Sequence, residues 1–418
     1  MRILIVNKFL FPNGGSETYI FELGKQLVSM GHEVQYFGME HPDRCVGNSV
    51  GAYTTNMDFH GGSKLAKLTA PFKIIYSREA RKKIRLVLDD FRPDVVHLNN
   101  INFQITPSII YEIRKWKKGS KVKIISTIHD PQWVCPNHKL INGRTGTGCD
   151  KCLDGHFMHC TYDRCIHSSV ARSYLGTIEA TLYKQLHTYR NVDMIITPSH
   201  FMENVINKHP DLVGRVKMLR NFIEVNIPTS DMIASFRESL GLTNSDKRYV
   251  LYLGRYSEEK GICTLIKAAR ALPQVQFVFA GSGPFESEVN SVDNIVNLGF
   301  VSGDELYCLL SGAEFSLIAS ECYENCPFTV MESQMCGTPV IGADIGGIPE
   351  LIAIENESEY PTGELFKSGD AEELEEKILK LWCDENKIEK YSKNCNSVRY
   401  DSLETYTKKL LSMILEIK

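Results

Sequence analysis

Short, almost continuously apolar runs alternate with longer amphipathic stretches along this chain. Residues 2–7, 32–38, 94–98, 122–128 and 194–197 are runs of the first kind. A run of that length bounded by turn formers predicts a strand buried on both faces. Between them, residues 16–30, 73–88, 109–117 and 168–189 repeat apolar positions at helical spacing. Strand alternating with helix predicts a parallel sheet covered on both sides. The alternation lapses from Asn221 through the polar stretch to Lys247, then resumes. Further strands are expected at 249–253, 276–280, 295–301, 315–319, 339–342 and 363–366, and a terminal helix over 402–418. The reading is therefore α/β in two domains, 1–222 and 223–395, with 396–418 as an added helix. A chain of 418 residues, 43% of them hydrophobic, is long enough for two cores of ordinary size.

Turn residues fall where strands hand over to helices. Gly14-Gly15 follows the first strand, Gly254 the strand at 249–253, and Gly281 the strand at 276–280. Glycine lets the backbone approach a ligand closely, and the helix N-terminus behind it favours phosphate; a loop that only turns the chain fits the same pattern. Ligands of open α/β sheets bind beyond the carboxyl ends of strands, where His129-Asp130 closes the run at 122–128. Arg255 and Lys260 put two cations five residues apart in another such loop. Arginine grips phosphate oxygens bidentately and lysine supplies a point charge, so the pair can neutralise a diphosphate without a metal.

The richest stretch, residues 320–350, reads SECYENCPFTVMESQMCGTPVIGADIGGIPE. Pro327 is expected at the first position of a helix, where a missing N–H leaves nothing unsatisfied. The amides of Phe328 and Thr329 would then lack acceptors within the helix and form, behind Cys326-Pro327, a seat for an anion. Glu324 stands before that seat, and Glu332 about a turn and a half beyond it.

Charge and cysteine content narrow the partners. Residues 1–205 hold 26 Lys and Arg against 18 Asp and Glu, a net +8, and the remainder carries −12. A basic first half anticipates something anionic. Arg78, Arg81, Lys82, Lys83 and Arg85 crowd the helix expected at 73–88, which suits either an anionic membrane surface or ordinary solvent. The basic residues are not interleaved with aromatics in a nucleic-acid module, so no nucleic acid is expected. With no secretion signal and no run of ~18 apolar residues, the expected location is cytoplasmic, at most peripheral on the inner face of a membrane. Thirteen cysteines in that setting mean reduced thiols or metal ligands. Five lie between Cys135 and Cys165; Cys149-x2-Cys152 and Cys160-x4-Cys165 have the spacing of a structural zinc site, and a loop of reduced thiols is equally compatible.

Taken together, Glu324-x7-Glu332, the GTPVI run at 337–341, the GGIPE run at 346–350, Gly254-Arg255-x4-Lys260-Gly261, Gly14-Gly15 and His129-Asp130 resemble the retaining glycosyltransferases of family 4, which have the GT-B fold. The likeness spans both domains; only the cysteine insertion and residues 47–70 fall outside it. It implies two Rossmann-like parallel-sheet domains facing across a cleft, the first for the acceptor and the second for a nucleotide sugar, UDP- or GDP-linked. The terminal helix would pack back on the first domain. By the same resemblance, Arg255, Lys260 and the amides of Phe328 and Thr329 stabilise the departing diphosphate, Glu332 bonds the ribose, and Glu324 holds a hydroxyl of the donor sugar. His129 would touch that sugar from the first domain, Gly14-Gly15 its phosphate and sugar, and the backbone around Phe300 the base. No cofactor or metal is implied for catalysis. Family members commonly carry Phe-Gly two residues after the first glutamate, where this chain has Cys326-Pro327.

The activity expected from the resemblance is transfer of a sugar, with retention, to a glycan or lipid-linked glycan in bacterial cell-surface polysaccharide synthesis. The alternatives are a sugar-nucleotide epimerase on the same fold and a non-catalytic nucleotide-sugar-binding subunit. The latter would lack Arg255, Lys260 or Glu324, and all three are present.

Overall fold

The computed structural model describes residues 1–56, 74–117, 122–240 and 248–417. It divides into two compact units, Met1–Asn221 with Leu403–Lys418, and Phe222–Ser402.

In the first unit, β1 (Arg2–Val6), β2 (Glu33–Phe37), β3 (Val95–Leu98), β4 (Lys123–Thr127), β5 (Met194–Thr197) and β6 (Val216–Met218) form a parallel sheet in the order β2-β1-β3-β4-β5-β6. In the second, β7 (Val250–Leu253), β8 (Phe277–Ala280), β9 (Ile295–Asn297), β10 (Phe315–Ile318), β11 (Val340–Ala343) and β12 (Gly363–Phe366) run parallel in the order β12-β11-β10-β7-β8-β9. The continuous apolar runs are explained by burial: β3, β5, β8, β10 and β11 are buried along their whole length. Each strand order reverses at one place, between β1 and β3 and between β7 and β10. Neighbouring loops diverge there and leave a crevice at the carboxyl ends of the strands.

The terminal helix Leu403–Glu416 belongs to the first unit, where Tyr406 is fully buried and its hydroxyl lies 2.8 Å from that of Tyr19. Lys123 Nζ donates to the Ile414 carbonyl at 2.7 Å.

Several elements differ from the sequence reading, each for a local reason. The basic helix spans Arg78–Phe91 because Ser77 Oγ accepts the Ala80 N–H and caps it there; Lys73 lies outside the described residues. On that helix Arg81 pairs with Glu112 at 2.8 Å, and Arg85 with Asp89 at 3.0 Å and Glu112 at 3.3 Å. Two of its guanidinium groups are thus already matched by carboxylates. The helix expected at 168–189 starts at Val170, capped by Ser169, and ends at Gln185. His187 then turns left-handed and a short 3-10 turn, Thr188–Asn191, leads to β5. The strand β6 has only three residues, one of them exposed Lys217, so it leaves no apolar run. The polar stretch between the two sheets contains a helix, Ser230–Ser239, with no buried residue and hence no periodic signal. Pro327 stands at the N-cap and the helix proper is Phe328–Met335, one residue later than expected. Of residues 47–70, those up to 56 fold back beside β2 through a bridge between Met39 and Thr54, and 57–70 lie outside the described residues.

Candidate active site

In the second unit the loops after β7 and β10 meet at the point of strand reversal. Gly261 has φ +71°, and a Cβ there would fall 1.8 Å from the Ala319 carbonyl oxygen, so only glycine lets the two backbones touch. The Glu321 N–H donates to the Glu259 carbonyl at 3.0 Å. Across this junction the Lys260 ammonium donates to Glu324 Oε1, which also accepts Ser320 Oγ at 2.9 Å. Burial alone would lower the Lys260 pKa, but the Glu324 carboxylate outweighs it and the pKa is raised. Arg255 is 65% exposed, with Nη1 3.8 Å from Glu259 Oε1. Two cations thus stand at one crevice, one held and one reaching into solvent.

Glu324 is fixed from behind as well. The Gly347 N–H donates to its carbonyl at 2.8 Å, and Gly346, at φ +63°, would place a Cβ 2.4 Å from that oxygen. This explains why the GGIPE run accompanies the first glutamate. No side chain caps the helix Phe328–Met335 behind Pro327, so its first amides point into the same region with the positive end of the helix dipole. Glu332 sits on that helix, and burial raises its pKa to about 6. The Cys326 side chain is buried in the apolar core, its sulfur 3.6 Å from that of Met331. Gly281 and Phe300 lie on adjoining loops, joined by the Gly281 N–H donating to the Gly299 carbonyl at 2.7 Å. Phe300 is 81% exposed, a large apolar ring held in solvent.

In the first unit Gly14 caps the helix Gly15–Ser29 without a side-chain bond. Beneath it lies a polar network that the sequence reading did not single out. Asn7, fully buried, donates to Glu17 Oε1 at 2.8 Å and accepts the Asn100 N–H at 3.1 Å, while Asn100 Nδ2 reaches Ser16 Oγ at 3.1 Å. Burial raises the Glu17 pKa despite these donors. His129, beyond β4, lies 2.9 Å from Asn99 Oδ1 through Nε2, and its ring meets Tyr19 edge-on at 5.1 Å. Desolvation lowers its pKa to about 4, leaving a neutral imidazole near pH 7. Asp130 accepts the Gln132 N–H at 3.0 Å; burial opposes its charge, but that bond together with His138 and Lys8 holds its pKa down. Asn7, Asn99 and Asn100 all follow directly on apolar strands, and that polar step at a strand's end was the signal for them.

Solved structures share this architecture. A sucrose-phosphate synthase from Thermosynechococcus elongatus matches with a TM-score of 0.69 at 18% identity, covering 99% of this chain and 98% of that one. Anabaena HepE in complex with UDP-glucose gives 0.68 at 16% identity, covering 99% of each chain. WaaG, a glycosyltransferase involved in lipopolysaccharide biosynthesis, gives 0.67 at 14% identity, covering 99% of this chain and 100% of that one. The fold is GT-B. The sequence carries the matter further: the family model for glycosyl transferases group 1 matches residues 236–397, and that for glycosyltransferase family 4 matches residues 13–226, half of the chain. The chain belongs to glycosyltransferase family 4.

Among curated relatives, an uncharacterized protein in the cps region of Klebsiella pneumoniae is 25% identical over 85% of this chain and 88% of its own. N-acetyl-alpha-D-glucosaminyl L-malate synthase of Bacillus anthracis is 23% identical over 89% and 85%. An uncharacterized glycosyltransferase of Methanocaldococcus jannaschii is 30% identical, over 41% of this chain and 47% of its own length.

Proposed function

We propose that this glycosyltransferase moves a sugar from a nucleotide-sugar donor, UDP- or GDP-linked, to a glycan or lipid-linked glycan, with retention of configuration and without a catalytic metal. The observation that carries the reading is the meeting of Lys260, Glu324 and the uncapped helix Phe328–Met335 at one strand reversal. As the anomeric C–O bond breaks, its electron pair passes to the diphosphate. Lys260, Arg255 and the helix amides would stabilise that charge. Bound diphosphate competes with Glu324 for the Lys260 ammonium, which releases the Glu324 carboxylate to accept a hydroxyl of the donor sugar. Glu332 would accept from the ribose, Phe300 and the backbone beside it would take the base, and the loops bearing Gly281 and Gly254 would let the nucleotide approach the main chain. His129 is assigned to a sugar hydroxyl as a neutral hydrogen-bonding group, and Gly14-Gly15 to the donor's phosphate and sugar.

A role in cell-surface polysaccharide synthesis is supported by the Klebsiella relative, which is encoded in a cps region, and by the basic first half of the chain. No helix among the described residues is long and apolar enough to cross a membrane, so contact with a lipid-linked acceptor would be peripheral. The test is incubation with a panel of nucleotide sugars, following nucleoside diphosphate release with and without glycan acceptors, and the anomeric configuration of the product by NMR. Acceptor-dependent release with retention is expected. An altered sugar nucleotide formed without any acceptor would favour an epimerase, and no reaction with any donor would favour a binding subunit.

A further inference from the structure

The cysteine insertion folds into a small closed knot within the first unit. Residues 141–148 form a tight hairpin: Ile141 and Gly148 bridge antiparallel, the Asn142 N–H donates to the Thr147 carbonyl at 2.8 Å, and the Cys149 N–H to the Leu140 carbonyl at 2.7 Å. The hairpin presses onto the turn at 162–165. Asn142 Nδ2 donates to Asp163 Oδ2 at 2.9 Å and Arg144 Nε to the Tyr162 carbonyl at 2.8 Å, and a Cβ on Gly143 would fall 2.5 Å from the Cys165 Cα. Cys135, Cys149, Cys152, Cys160 and Cys165 are thereby brought around one cavity of about 10 Å³. That volume admits a single ion or water and nothing larger.

The five thiols are not equivalent. Cys135 and Cys152 are buried, whereas Cys149 and Cys165 remain partly exposed. Cys160 is the most enclosed of the five, 1% exposed on the helix Met158–Tyr162 and packed in an apolar cluster with Cys152, Phe157 and Ala180. We infer that Cys135, Cys149, Cys152 and Cys165 hold one structural zinc ion, with Cys160 remaining a thiol beside them. The set differs from the one suggested by the two closely spaced pairs alone, because the fold brings Cys135 to the cavity from before the hairpin.

Among the described residues no group of three or more His, Cys, Asp or Glu is already disposed to hold a metal. Binding therefore requires the thiols to turn inward; Cys135 Sγ, for instance, now donates to Asn137 Oδ1 at 2.9 Å. Each ligand loses its proton as the metal enters. All thirteen cysteines are reduced, so no disulfide competes for these sulfurs.

The test is metal analysis of the full chain expressed with added zinc and purified without chelators. About one zinc per chain is expected, released when a mercurial titrates the thiols. Cobalt substitution should give thiolate-to-cobalt charge-transfer bands and the intense visible bands of a four-coordinate site. Cys160→Ala should keep the metal, whereas Cys149→Ala and Cys135→Ala should lose it, with Cys383→Ala as an exposed control. Should the ligand variants fail to fold, the wild-type stoichiometry and cobalt spectrum still decide. A wild-type protein without metal and without cobalt bands overturns the inference, as does loss of metal in Cys160→Ala with retention in Cys135→Ala. These measurements need no donor or acceptor, so they stand apart from the test of the transfer reaction.

Discussion

Replacing Lys260 by alanine separates the hold of this side chain on the loop from the action on the donor proposed for it. The pair it forms with Glu324 is partly enclosed, the two side chains being 30% and 18% exposed. An exposed pair contributes about 0–1 kcal/mol, whereas removing one member of a fully buried pair costs about 3–5 kcal/mol. Ser320 Oγ still donates to Glu324 Oε1 at 2.9 Å after the change, so the expected loss is about 1–2 kcal/mol. On catalysis, removing one preorganised donor to a developing oxyanion costs about 10²–10³-fold in turnover. Adding Glu324→Gln removes the stranded charge. Stability should then return to within about 0.5 kcal/mol of wild type while turnover stays low. Urea midpoints followed by fluorescence and nucleoside diphosphate release at saturating donor measure both. The sign with pH is fixed by the raised Lys260 pKa: the contribution is complete below the unfolded value near 10.5 and is lost as pH climbs through the folded value. Wild type and Lys260→Ala should therefore converge in strongly alkaline solution. Near-wild-type turnover in Lys260→Ala would refute the role in charge stabilisation. Equal stability losses in the single and double variants would refute the account of the pair.

Glu332, with its pKa raised to about 6, should lose acceptor capacity on protonation, so the donor KM should rise as pH falls below 6; an unchanged pH profile in Glu332→Gln would count against its contact with the ribose. His129 and His97 are held neutral by burial, with pKa values lowered to about 4 and about 3. Below 6.5 the unfolded chain binds protons the folded one refuses, so stability should fall as pH drops from 6.5 toward 4, by about 1.4 kcal/mol per pH unit for each histidine. His97→Asn should flatten that slope in urea titrations, and an unaltered slope would contradict the assignment. Initial rates should be the same with and without added magnesium, and a rate that required magnesium would overturn the metal-free reading. Binding to anionic vesicles should weaken with salt and weaken further in Lys82→Gln/Lys83→Gln, because Arg81 and Arg85 already have carboxylate partners; equally poor binding to neutral and anionic vesicles at low salt would point to a soluble acceptor.

Most strands were legible in the sequence because burial on both faces demands continuous apolar runs, and residues 194–197 and 363–366 match β5 and β12 residue for residue. The loops of the candidate site were legible for a related reason: where backbones touch, as Gly261 does Ala319 and Gly346 does Glu324, only glycine fits, and that requirement is written into the chain as a motif. Helix limits were less so, since a cap such as Ser77 acts through one hydrogen bond that many serines could make. What the sequence could not hold is pairing across distance. That Lys260 meets Glu324, that Arg81 and Arg85 are answered by Glu112, and that Cys135 joins four later cysteines around one cavity follow from strand order and hairpin closure. Those contacts depend on the sum of weak interactions over whole domains, so no local pattern of residues encodes them.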